Sequence, residues 1–180
     1  MYVVLPNLYI SSWIVIASKN VLEEEGITHI LTVMRELEHS KRLEPFKRMI
    51  IDVNDDPDEN IIDYFQAAIQ WIDDALAEGG KVLVHWFVHI IKTANRSWAG
   101  KSRSATVLAA YLTQRFNIGV AEAISRLEEV KDVDPNDGFR EQLQVFVDCN
   151  YIPNTTRAAY RHWLLRQQAN LQKGALTNSI

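Results

Sequence analysis

Short apolar runs rich in β-branched residues alternate along the chain with longer stretches in which apolar positions recur at helical spacing. Val3-Val4-Leu5 and Leu8-Tyr9-Ile10, separated by Pro6-Asn7, predict a strand, a turn and a second strand. A short helix is expected over residues 17–25, with residues 20–25 on its wet side, and Gly26 stops it. Residues 27–33 and 48–53 have the dense branching of strands. Ile61, Phe65, Ala68, Ile69, Ile72 and Leu76 then lie on one face of a helix expected from about residue 60 to 77, ended by Gly79-Gly80. Lys81-Val82-Leu83-Val84-His85 reads as a buried strand, and residues 105–112 are apolar nearly all round, which predicts a central buried helix. Three more helical faces follow: Val120, Ile124 and Leu127; then Phe139, Leu143 and Phe146, behind a turn and cap at Pro135-Asn136-Asp137-Gly138; then Tyr160, Trp163, Leu164 and Leu171, over about 155–173. Strands alternating with helices predict an α/β sandwich, with helices flanking a central mixed or parallel sheet.

Composition narrows this little. With 180 residues and 47% hydrophobic content, one globular domain is expected. A lone cysteine, Cys149, excludes an intramolecular disulfide and any cysteine-rich zinc module, and reads as a small buried hydrophobe. No charged-then-apolar leader opens the chain and no apolar stretch approaches the ~20 residues that span a bilayer. An intracellular monomer, cytoplasmic or nuclear, is expected, with no membrane contact. Charge is uneven: residues 151–180 carry Arg157, Arg161, Arg166 and Lys173 and no acid, whereas the whole chain has a formal charge of −4. Four basic residues are a small footprint for nucleic acid, so the tail is expected to pack on its own acidic body.

The chemistry concentrates where the strand at 81–85 gives way to the helix at 105–112. Ala99-Gly100-Lys101-Ser102-Arg103-Ser104 leads into that helix. Strand, glycine loop and helix start make an anion site: backbone N–H groups converge, the helix dipole favours negative charge, and a guanidinium can clamp phosphate oxygens in bidentate fashion. A nucleotide-binding loop would need another glycine five residues before Gly100, where Asn95 stands. The segment instead resembles the signature of cysteine-dependent protein phosphatases, in particular the dual-specificity family, whose loop runs His-Cys, five residues, Arg, Ser/Thr. Six positions before Arg103 stands Ser97, so serine occupies the place of the nucleophilic cysteine. The histidine of the pattern is not at residue 96, which is Arg, but at His85, and residues 86–96 form an eleven-residue insertion.

One hypothesis covers both departures. Trp86 has the single codon TGG, Phe87-Val88 can follow as TTT GTN, and Ser97 can be AGC or AGT. An intron opening after the TG of Trp86 and closing with the AG of Ser97 would splice to a cysteine codon. The joined product reads Val-Leu-Val-His-Cys-Trp-Ala-Gly-Lys-Ser-Arg-Ser, with the family spacing restored. The alternative is a genuine insertion in a catalytically dead relative. As the chain is written, the apolar start of the insertion and its polar end predict an extended hairpin or loop over the site.

The resemblance spans roughly residues 2–150. It implies the cysteine-dependent phosphatase fold, with residues 1–151 as a catalytic domain interrupted at 86–96 and residues 152–180 as a basic helical extension. It implies a phosphate cradle made by Trp98, Ala99, Gly100, Lys101, Ser102 and Arg103, a nucleophile position at Ser97, and His85 in support. Ser104 matches the hydroxyl that hydrogen-bonds the thiolate. In the acidic stretch 54–60, Asp55 matches the family's proton donor, with Asp56 the near alternative; the stretch lacks the glycine turn and terminal Glu of a calcium loop. Neither metal nor other cofactor is implied. Ser97 cannot inherit the attack, because nothing in the sequence supplies an alcohol with a neighbouring base. Two functions compete: a phosphatase acting on phosphotyrosine, phosphoserine and phosphothreonine in proteins, its cysteine lost from this translation, and a pseudophosphatase that binds phosphoproteins without turnover.

Overall fold

The computed structural model describes residues 1–12, 19–34, 43–86 and 101–177. Strand β1 (Tyr2–Leu5) turns at Pro6 and Asn7, the latter at φ 64, into the antiparallel β2 (Leu8–Ser12). Asn tolerates that left-handed conformation better than most residues. Strands β3 (His29–Val33), β4 (Lys47–Ile51) and β5 (Val82–Trp86) complete, among the described residues, a sheet of order β1-β2-β5-β3-β4. Every pairing except β1 with β2 is parallel. Of the expected mixed or parallel sheet, the mixed form is found, mainly parallel and with β5 at its centre.

Period-two alternation sends the strand residues to two different cores. Leu31, Val33, Val82 and Val84 join Leu8 and Ile10 in the larger one. Ile30 and Leu83 point the other way, into a smaller cluster with Leu22, Ile27, Leu43 and Phe46. A sheet covered on both faces explains why β3 and β5 read as continuous apolar runs. Strands β3 and β4 are shorter than expected. Ile27 N–H is drawn to Leu22 O, and Val53 N–H turns back to Ile51 O, so these flanking residues close turns rather than extend the ladder.

Helix α1 (Lys19–Glu24) lies within the expected 17–25, whose first two residues fall outside the described part. The helix expected from residue 60 starts as a 3₁₀ turn, Ile62–Tyr64, and becomes α2 at Phe65–Ala77. Helix α3 (Arg103–Phe116) is the central one: residues 104–113 are all buried. It ends at Asn117, at φ 51, and α4 (Val120–Glu128) and α5 (Asp137–Asp148) follow. His29 is a satisfied core histidine, with its Nδ1 2.7 Å from Thr28 Oγ1 and its ring edge-on to Trp71.

Helix α6 (Ala158–Thr177) docks on the body through Tyr160 and Trp163, both part of the larger core, and through the Arg166–Glu141 ion pair. Tyr160 donates from its hydroxyl to Asp63 Oδ1 at 2.5 Å. Cys149 is fully buried beside them, and burial pushes its thiol up, away from reactivity.

Two buried phenols predict alkaline sensitivity. Burial, and then the hydrogen bond to Asp73 at 2.9 Å, push Tyr111 up to about 12, and burial with Asp63 pushes Tyr160 up as well. Unfolded tyrosine ionises near pH ~10. The stabilisation is therefore complete below about pH 10 and is lost as pH rises toward the folded value, because the unfolded chain ionises first. Urea unfolding across this window should show the decline, and Tyr111→Phe should flatten part of it. An equal slope in the variant would contradict the assignment.

Candidate active site

The site gathers at the carboxyl end of the parallel strands, around the N-terminus of α3. His85, near the end of β5, is 1% exposed and places Nε2 2.7 Å from Thr32 Oγ1 on the neighbouring β3, which pins the end of the central strand. Residues 87–100 lie outside the described part, and with them Ser97, Trp98, Ala99, Gly100 and the expected hairpin. The chain is described again from Lys101. The carbonyl of Lys101 accepts Asp134 N–H at 2.9 Å, and its ammonium pairs with Asp132.

Ser102 precedes α3 and is 2% exposed. Its carbonyl accepts Thr106 N–H and Thr106 Oγ1–H, both at 2.8 Å, and its Oγ accepts the backbone N–H of Asn136 at 3.1 Å. Arg103 opens the helix. Its Nη1 donates to Val53 O at 3.3 Å, and its Nε lies 3.7 Å from Asp55 Oδ2, with both side chains nearly buried. Burial pulls the guanidinium below its ordinary value and Asp55 opposes that pull; starting from above ~12, it stays a cation at neutral pH. Ser104 Oγ is fully buried, with no hydrogen-bond partner among the described residues.

The acidic loop distinguishes its two aspartates. Asp56 Oδ1 accepts Asp58 N–H at 2.9 Å, a side-chain turn that holds the loop itself. Asp55 instead faces Arg103, and its Oδ1 accepts from Asn136 Nδ2 at 3.0 Å. Asp55, Pro57, Asp134, Pro135, Asn136 and Asp137 line a cleft beside it. Among the described residues, no group of three or more His, Cys, Asp or Glu could hold a metal ion.

The loop is fastened to α5 at three points. Asn136 caps that helix, its Oδ1 accepting Phe139 N–H at 2.9 Å, while its amide nitrogen reaches Asp55. At Gly138 a Cβ would come within 2.0 Å of Pro57 O, so only glycine lets the loop backbone settle here. Gln142, 1% exposed, accepts from Ile61 N and Ile62 N at 2.9 and 3.0 Å and donates to Glu59 O at 2.8 Å. Asn136 and Gly138 stand in the turn and cap read from the sequence, yet the reach of these residues and of Gln142 to the acidic loop carries no local signal. The structure therefore brings together Asp55, Ser102, Arg103 and Ser104, with His85 at the adjacent strand end.

The family model described as "Dual specificity phosphatase, catalytic domain" matches residues 8–149. The chain is 33% identical over 162 residues to "Tyrosine-protein phosphatase yvh1" of Schizosaccharomyces pombe, a match covering 89% of this chain and 46% of that protein. It is 37% identical over 139 residues to "Dual specificity protein phosphatase 1" of Arabidopsis thaliana, covering 77% and 64% respectively. It thus spans less than two thirds of either relative. The solved structure of the human tyrosine phosphatase-like serine/threonine/tyrosine-interacting protein superposes with a TM-score of 0.69 at 30% identity, covering 82% of this chain and 95% of that one.

Proposed function

Since the chain belongs to the dual specificity phosphatase family, we propose that its site is built to hydrolyse phosphate monoesters on tyrosine, serine and threonine side chains of proteins, and that this translation lacks the nucleophile. The observation that carries the reading is the nearly buried pairing of Arg103 with Asp55 at the start of α3, 3.7 Å apart. A cation at a helix N-terminus holds the phosphate oxygens, and an acid beside it faces the leaving oxygen.

With cysteine at position 97, the thiolate sulfur would attack phosphorus as the ester P–O bond breaks. Asp55 would give its proton to the departing oxygen. Water would then attack the phosphocysteine, return a proton to Asp55 and release phosphate and thiolate. Arg103 and the helix N–H groups carry the charge on the equatorial oxygens throughout. Ser104, buried at the start of α3, would donate to the thiolate as it leaves. With Ser97 in that position the attack fails, because a serine hydroxyl stays protonated without a base.

A second reading is a pseudophosphatase that retains phosphoproteins. It is favoured by Ser97 itself and by the similarity to a human protein described as phosphatase-like and interacting. Sequencing the transcript across codons 80–105 separates the two: a message that skips residues 86–96 and encodes cysteine supports the enzyme, and one that keeps them supports the binder. The 180-residue chain is expected to release no phosphate from an aryl phosphate. It should bind inorganic phosphate weakly, and Arg103→Ala should weaken this about tenfold, the worth of a charge-assisted hydrogen bond. Identical binding by the variant in calorimetric titration would remove the site from either reading.

A further inference from the structure

The loop that carries Asp55 is braced by its own groups. Asn54 Nδ2 donates to Glu59 Oε1 at 2.8 Å across its base, Glu59 N–H donates to Asp56 O at 3.1 Å, and Asp58 N–H donates to Asp56 Oδ1 at 2.9 Å. A loop held together in this way shifts as a unit, so the orientation of Asp55 is set where the loop joins the rest of the fold. Its downstream root is the stretch from Asn60 to Asp63. Asn60 Nδ2 donates to Asp63 Oδ2 at 2.8 Å, and the other carboxylate oxygen, Oδ1, accepts the Tyr160 hydroxyl at 2.5 Å. Tyr160 is 8% exposed and its ring packs on Trp163 with centroids 5.6 Å apart, so the phenol is a fixed donor. It comes from α6, beyond residue 149 where the match to the family model ends. One carboxylate thus joins the last helix to the root of the acidic loop through charge-assisted hydrogen bonds.

We propose that Tyr160 is a positioning residue for the general acid: through Asp63 and Asn60 it holds the root of the acidic loop, so that helix α6 sets how Asp55 faces a leaving oxygen. This rests on the reading of Asp55 as the proton donor. Gln142 and Tyr160 divide the root between them. Gln142 holds its backbone, at Ile61 N and Ile62 N, and Tyr160 holds its side chains. The Arg166–Glu141 pair that also fastens α6 is exposed. Loosening α6 therefore slackens the acid and slows the reaction without touching the phosphate cradle.

Tyr160→Phe keeps the ring against Trp163 and removes the hydroxyl alone. The first readout is native-state hydrogen exchange of the 180-residue chain. Glu59, Ile61 and Ile62 N–H should exchange about tenfold faster in the variant, the worth of a hydrogen bond to a charged group that must break for the loop to open. In an Asp63→Ala background the same substitution should change nothing at these amides. Unchanged exchange in the parent background, or an equal acceleration in both, would overturn the proposal. The second readout is hydrolysis by the chain repaired through deletion of residues 86–96 and Ser97→Cys. Tyr160→Phe should slow phenyl phosphate, whose leaving group needs the proton of Asp55, about tenfold, a part of the ~10²–10⁴ that a positioned acid supplies. Dinitrophenyl phosphate, whose leaving group departs without a proton, should be nearly unaffected. An equal loss on both esters would make the hydroxyl structural and refute the proposal. An inert repaired chain would sink the functional reading instead, and the exchange comparison would then decide by itself whether Tyr160 holds the loop.

Discussion

Deleting residues 86–96 and replacing Ser97 with Cys is expected to turn an inert chain into a phosphatase. The repair places the thiol directly after His85, which Thr32 already anchors at the strand end, and keeps the five residues between nucleophile and Arg103. At the N-terminus of a fourteen-residue helix and beside a guanidinium, a thiol pKa falls from about 8.5 into the range of ~3.5–7.5, so the nucleophile is ionised at neutral pH. Aryl phosphates and phosphotyrosyl peptides should be hydrolysed, and a chelator should not interfere, because Arg103 and the helix N–H groups supply the positive charge. The rate should rise with pH as the thiol ionises and fall as the acid loses its proton. In the repaired chain Asp55→Asn should flatten the falling limb and cost on the order of 10²–10⁴ in rate. Asp56→Asn should cost far less in rate, since Asp56 spends its carboxylate on Asp58 N–H. A folded but inert repaired chain, or the two variants in reverse order, would refute the reconstruction.

Gln142→Leu should be strongly damaging although it lies outside the phosphate loop. The side chain is buried and makes three hydrogen bonds, two as acceptor to Ile61 and Ile62 and one as donor to Glu59 O. Leucine fills similar space and removes the partner that all three backbone groups have at the entry to the 3₁₀ turn before α2. At about 1–3 kcal/mol per buried group left unsatisfied, a loss of about 3 kcal/mol or more is expected, readable as a lowered midpoint in urea at unchanged slope. Phosphate affinity should fall too, because the acidic loop loses its deepest anchor. A midpoint within experimental error of the parent would show that water replaces the amide.

Much of the architecture was legible because it is written in local periodicity. The parallel strands are continuous apolar runs, α2 and α5 carry one apolar stripe each, and α3 is apolar on every side because it is enclosed. The placement of Arg103 at the start of α3 followed from glycine, cation and helix in sequence. The resemblance put Asp55 first and Asp56 as its near alternative, but nothing local foretold how differently the two are held: Asp55 by Asn136, 81 residues away along the chain, and Asp56 by a turn in which its carboxylate bonds the backbone N–H of Asp58. The tie of Gln142 to the loop was hidden for the same reason: a buried glutamine in an amphipathic stripe looks like an exception until the orphan N–H groups it serves are brought opposite.

The match to the family ends at residue 149, but the interior does not. Trp163, 2% exposed, and Tyr160 close over Cys149 and α5 from a helix that begins only at residue 158. The shortest piece of this chain able to keep its centre dry is therefore longer than the piece the family model matches. A protein trimmed at residue 149 would present a greasy hollow to water, so the last helix is as much a wall of the chamber as a tail beyond it.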